Sequence, residues 1–162
     1  MYRHLLTLTG IVCIATGIVS CDSFNTKVPA SEIKKASAWS KSDQYPSYPD
    51  CEGLSGSKAK TCFGSILGDS ISKYLANQEL RASKEVDSEI ILLLKVTKEG
   101  VIELSSIDDP NNILSSIADI ETILADAVAE LPQAQAAVKT NAGTKVQVSL
   151  KLPIQIIATA SE

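Results

Sequence analysis

The side chains best suited to metal or covalent chemistry are few enough to follow one by one: a single histidine, His4, and four cysteines, Cys13, Cys21, Cys51 and Cys62. Imidazole and thiolate are the common zinc ligands and the common base and nucleophile of hydrolytic sites, so this set leaves room for a metal centre or a covalent site. Their positions decide what is left. His4 and Cys13 lie in a leading segment in which Arg3 precedes an uncharged run from Leu5 to Ser20. That run is shorter than the roughly 20 residues a membrane-spanning helix needs. Residues 1–20 read as a secretory signal peptide.

The run ends in Ile18-Val19-Ser20-Cys21, which resembles the bacterial lipobox. In lipoproteins of that kind the cysteine sulfur takes a diacyl group through a thioether, the signal peptide is cut before it, and the new amino terminus is usually acylated too. The resemblance makes Cys21 the lipidation site and the membrane the first partner. Two or three acyl chains anchor firmly where one binds only marginally. The competing readings are an uncleaved signal anchor and ordinary signal cleavage nearby.

Cleavage before Cys21 leaves 142 residues of the 162, with 14 basic and 19 acidic side chains and no histidine. Histidine-based triads, histidine-ligated zinc or haem, and imidazole acid–base catalysis are then closed to the mature chain. Cys51 and Cys62 remain. Two thiols in an exported protein most simply form one disulfide. The rival is a two-cysteine metal site, for which no histidine completes the ligand set. No cofactor is expected. The acidic balance and the lack of a dense Lys/Arg block also exclude a nucleic-acid groove, which needs clustered cations to displace phosphate counterions.

Catalysis would have to rest on carboxylates, lysines or hydroxyls. The adjacent Asp108 and Asp109 stand in the turn-forming stretch Asp108-Asp109-Pro110-Asn111-Asn112, where solvated aspartates are expected. Glu121, Asp126 and Glu130 fall on the wet face of a helix. The chain is not expected to be an enzyme.

The elements that would carry a binding site follow from hydrophobic periodicity. Residues 21–47, a lipidated terminus and a stretch rich in Ser, Lys and Ala, read as a flexible tether, with the only tryptophan, Trp39, inside it. Between Ser57 and Asn77 the apolar residues Cys62, Phe63, Ile66, Leu67, Ile71, Tyr74 and Leu75 recur at three-and-four spacing, predicting a helix. Gly64 and Gly68 cost that helix propensity, and a close helix-to-sheet approach at the glycines is one way to offset it.

Residues 89–97 are apolar on both faces and predict a central strand. Lys98-Glu99-Gly100 turns the chain into a hairpin partner over residues 101–107. A second helix carries Ile117, Ile120, Leu124, Val128 and Leu131, with Ser116 placed to cap it and Pro132 to stop it. Last, Val146, Val148, Leu150, Leu152, Ile154 and Ile156 alternate with polar residues and Pro153, predicting one long strand from Lys145 to Ile156. Pro153 puts that strand at a sheet edge. The fold class is therefore α+β, an αββαβ chain with a three-stranded antiparallel sheet in the order 2-1-3 and two helices on one face.

In this order the motifs of residues 48–162 resemble the C-terminal domain of TonB proteins, in particular the two-cysteine versions common in Bacteroidetes. Tyr48-Pro49-Asp50-Cys51 precedes Cys62-Phe63, a hairpin turns at Gly100, Leu131-Pro132 closes the second helix, and Leu152-Pro153-Ile154 ends the last strand. The resemblance implies a protein-binding module of the cell envelope, facing the periplasm, in which an extended peptide from an outer-membrane transporter adds to the edge of the last strand. The side chains carried over to that role are Lys145, Gln147, Ser149, Lys151 and Gln155. Unlike an energy-transducing member, this chain has a lipobox where a motor-coupled helix would stand, and a short tether with few prolines. The second reading is a structural envelope lipoprotein that forms a homodimer by pairing its last strands.

Overall fold

The computed structural model describes residues 38–160, with Pro29 and Ser31 besides. The chain divides into two units, Met1–Ala38 and Trp39–Glu162, and every element named below belongs to the second. The signal peptide, the lipidation site Cys21 and most of the tether expected before Ala38 lie outside the described residues.

The central strand is β1 (Val86–Val96). Val86, Ile90, Leu92, Leu94 and Val96 are buried on one face, while Ile91, Leu93 and Lys95 are half-buried on the other. Such two-sided burial requires a neighbour on each side. They are β2 (Ile102–Asp108) and β5 (Val148–Ala158), both antiparallel, in the order β2-β1-β5. The αββαβ arrangement and the 2-1-3 order expected from periodicity are those observed.

The two flanking strands differ. The β1–β5 ladder runs without a shift from Val86↔Ala158 to Val96↔Val148. In the β1–β2 ladder, Leu93 faces Ser106 but Leu94 faces Leu104, so Ser105 is an extra residue, a bulge that bends the outer strand. The β1–β2 turn has Gly100 at φ +88°, a left-handed conformation that glycine adopts without a Cβ penalty.

Two helices cover the buried face. α1 (Gly56–Ala76) buries Ala59, Phe63, Leu67, Ile71 and Leu75 at the expected spacing. α2 (Ile120–Ala129) buries Ile120, Leu124, Ala127 and Val128. All of these but Ala59 form one core with the inward residues of all three strands. Each fully buried Leu or Ile in it contributes on the order of 1.5–3 kcal/mol of transfer free energy.

Four local expectations change. Ser116 does not cap α2. It ends a 3-10 turn, Leu114–Ser116, and its carbonyl accepts the Ser83 N–H at 2.8 Å, while Asp119, at φ 55°, stands at the helix start. The chain there is diverted by backbone pairing with residues 81–83, which no local pattern announces.

The long last strand is two strands in different sheets. β4 (Thr144–Val146) pairs with β3 (Ala137–Lys139), Gln147 is the joint, and β5 follows. Val148 already faces Val96, the last residue of β1, so residues before it have no ladder left in the main sheet and find one in β3.

Residues 39–47, assigned to the tether by composition, belong to the folded unit, which begins at Trp39. Gln44 exchanges backbone hydrogen bonds with Val138 at 3.0 and 2.9 Å, and Ser47 does so with Gln135 at 3.2 and 2.9 Å. Isolated bridges of this kind leave no hydrophobic period.

The glycines of α1 are not points of close approach. A Cβ placed on Gly64 or Gly68 meets nothing within 4 Å. Both face open space, and Gly64 lines a cavity with residues of β5.

Candidate functional site

With β1 on one side, β5 has no strand on its other side among the described residues. Its N–H and C=O groups on that side form a row of backbone partners eleven residues long, interrupted at Pro153, which has no N–H to offer. The outer edge of β2 is shorter and bent by the Ser105 bulge, a feature that discourages strand addition. β5 keeps a continuous register and is the accessible edge.

Leu152, Ile154, Ile156 and Ala158 of β5 are buried under the helices, whereas Ser149, Lys151, Pro153, Gln155 and Ile157 stand on the uncovered face of the sheet. Of the five side chains expected to bind peptide, Ser149, Lys151 and Gln155 therefore share that exposed face. Gln155 donates to Asp87 Oδ1 at 2.6 Å, across the strand pair. Lys145 lies on β4 and Gln147 at the joint, so these two do not belong to the β5 edge.

Sequence reasoning missed the second wall of the site. α1 runs beside β5, and two cavities open between them, each about 310 Å³. At the start of β5 the first is lined by residues 148–151 opposite Lys60, Phe63 and Gly64 of α1, with Tyr45 and Pro46 closing one side. At the other end residues 155–157 face Ser72, Leu75, Ala76 and Leu80. The recurrence of Lys60, Gly64, Gly68, Ser72 and Ala76 every fourth residue was the available signal.

The segment carrying Tyr45 is held at several points. Tyr45 stacks on Trp39 with ring centres 4.5 Å apart, and Lys60 Nζ lies 4.0 Å over the Tyr45 ring, within cation–π range. Asp43, buried at 8% exposure, accepts the Ser40 N–H at 2.7 Å, the Thr140 N–H at 3.0 Å and Lys139 Nζ at 2.9 Å. The Ser40 N–H first, then Lys139, hold its carboxyl down at about 2. Tyr48, next along, packs on Phe63 and donates its hydroxyl to the Pro132 carbonyl at 2.8 Å; burial pushes that hydroxyl up to about 12.

Cys51 and Cys62 join the 3-10 turn Pro49–Cys51 to α1, with Cα atoms 5.9 Å apart and the sulfurs bonded. Among the described residues no group of three or more His, Cys, Asp or Glu side chains is placed to hold a metal ion, and no helix is long and apolar enough to cross a membrane. No family model, curated protein or solved structure matches this chain. The site must be read from its own geometry. What that geometry can do is accept an extended backbone on β5 and side chains in the cavities flanking it.

Proposed function

We propose that this chain is a non-enzymatic lipoprotein of the cell envelope whose folded unit binds proteins by taking an extended segment onto the outer edge of β5. The observation carrying this reading is the contrast between the two edges of the sheet: β5 offers eleven residues in unbroken register, and β2 is bulged at Ser105. Main-chain hydrogen bonds then provide affinity, and side-chain recesses provide selection. The lipobox-like Ile18-Val19-Ser20-Cys21 supports an anchor at Cys21, and the TonB-like order of motifs makes an outer-membrane transport component the partner to try first.

The test is nuclear magnetic resonance on the full chain in detergent, titrated with extended peptides from the periplasmic plug segments of outer-membrane transporters. Shifts centred on the amides of residues 148–158, with smaller ones on the α1 residues that line the cavities, are expected. Unmoved β5 amides throughout, or shifts only on β2, sink the reading. Sedimentation without peptide addresses the homodimer: a dimer whose dissociation moves those same amides assigns the edge to a second copy.

A further inference from the structure

The cleft between α1 and β5 has a measurable spacing and a charge. Leu150 borders the first cavity and Ile156 the second, six residues apart, which is about 20 Å of strand. Along α1, Gly64 and Ala76 line the same two cavities and are about 18 Å apart. Helix and strand keep pace, so the two cavities are equally spaced along both walls of the trough between α1 and β5.

An added strand turns every second side chain to the same face. Six is an even number, so one strand can send a side chain into each cavity, both from its helix-facing side. Between Gly64 and Ser72, at the same four-residue spacing along α1, stands Gly68, where a Cβ would meet nothing within 4 Å. The lysines Lys60 and Lys151 line the first cavity, and no acidic residue lines either. Neither lysine has an acidic partner among the described residues. β5 itself carries no carboxylate, so a second copy pairing its own β5 here would bring no acidic partner to these lysines.

Resting on the reading of β5 as a binding edge, we infer that the cleft selects a strand of another protein that bears two large apolar side chains six positions apart, with an acidic residue next to the one seated beside Lys60 and Lys151. Each apolar side chain fills one cavity. The carboxylate, turned to the opposite face from its apolar neighbour, meets Lys151 on the uncovered face, and the helix-facing side chains between the two anchors lie along the bare glycine surface of α1.

The test is calorimetric titration of the full chain in detergent with ten-residue peptides on a Ser/Thr/Val background, carrying leucines at positions i and i+6 and one aspartate. The aspartate is placed beside either leucine in separate peptides, so both strand directions are sampled. Moving one leucine to i+5 turns it to the wrong face and is expected to weaken binding about ten-fold, the cost of one unburied aliphatic side chain. Replacing aspartate with lysine is expected to weaken it further and to reverse the sign of the salt dependence shown by the acidic peptide.

Gly64→Leu, which fills the trough from a position with free space, is expected to weaken the i, i+6 peptide while leaving the thermal midpoint unlowered. Equal affinity for i+6 and i+5 peptides, with β5 amides still shifting, overturns the spacing rule and leaves edge binding standing. No β5 shift with any peptide overturns both. A peptide-free dimer that Gly64→Leu makes monomeric gives the cleft to a second copy and overturns the inference.

Discussion

The carbonyl of Ala134 lies against the α-carbon of Gly100: a Cβ built on Gly100 would sit 1.9 Å from the Ala134 oxygen. The contact is reinforced by the Ala134 N–H, which donates to the Gly100 carbonyl at 2.9 Å, and by the Gln133 side-chain amide, which donates to the Glu99 carbonyl. The β1–β2 turn is thereby fastened to the chain leaving α2. Gly100→Ala combines a left-handed backbone with a clash against main chain, which has no rotamer to yield. We expect a loss of at least about 2 kcal/mol. Urea denaturation followed by far-ultraviolet circular dichroism measures it, and a midpoint within error of the parent would contradict the packing described.

Gly64→Ala and Gly68→Ala should act in the opposite direction. Both lie inside α1, where glycine is roughly 1 kcal/mol worse than alanine, and an added methyl meets open space at either position. Each substitution is expected to raise stability by up to about 1 kcal/mol. A drop in the thermal midpoint would mean that the helix approaches a neighbour more closely there.

The Cys51–Cys62 bond closes a loop with a sequence separation of 11. A loop of that size restricts the unfolded chain by about 3 kcal/mol in chain-entropy accounting. The Cys51→Ala, Cys62→Ala double variant should therefore unfold at lower denaturant by that amount, and adding reductant to the parent should reproduce most of the shift. A reductant-insensitive midpoint in the parent would count against the bond.

Asp43 makes stability depend on acid. Its carboxyl titrates at about 2 in the folded chain against an ordinary 3.8, so the unfolded chain takes up the proton first as pH falls. The stabilising contribution is complete above about pH 4 and is lost as pH falls from there through 2. Trp39 reports it, because Lys139, the ion-pair partner of Asp43, lies 4.8 Å over the Trp39 ring. Thermal unfolding read by Trp39 emission between pH 2 and 5 should show a pH-dependent component that disappears in Asp43→Asn. An unchanged slope in that variant would place the acid sensitivity elsewhere.

The main sheet was legible because its causes are local. Apolar residues on both faces of 89–97 call for a central strand, and strict alternation through Ile156 calls for a strand with one covered face. Gly100 and the glycine-free arms around it mark the hairpin. What was not legible depends on partners distant in the chain. Gln44 meets Val138 and Ser47 meets Gln135 through the backbone, so side-chain pattern carries no trace of either pairing. The alternation from Val146 to Val148 passes smoothly over a change of sheet, because side-chain period is blind to which strand lies alongside. The α1 wall went unread for a related reason. Gly64 and Gly68 register in a sequence as lost helix propensity, and become a trough only once β5 is known to run next to them.

The extra residue at Ser105 sets a limit on stoichiometry. Head-to-tail polymerisation of sheets needs two receptive margins on every molecule, one to give and one to accept. A bent margin on β2 leaves one. On the proposed reading of β5, the sheet is extended by a single guest strand and then terminates, because the bent β2 margin offers no second site for addition.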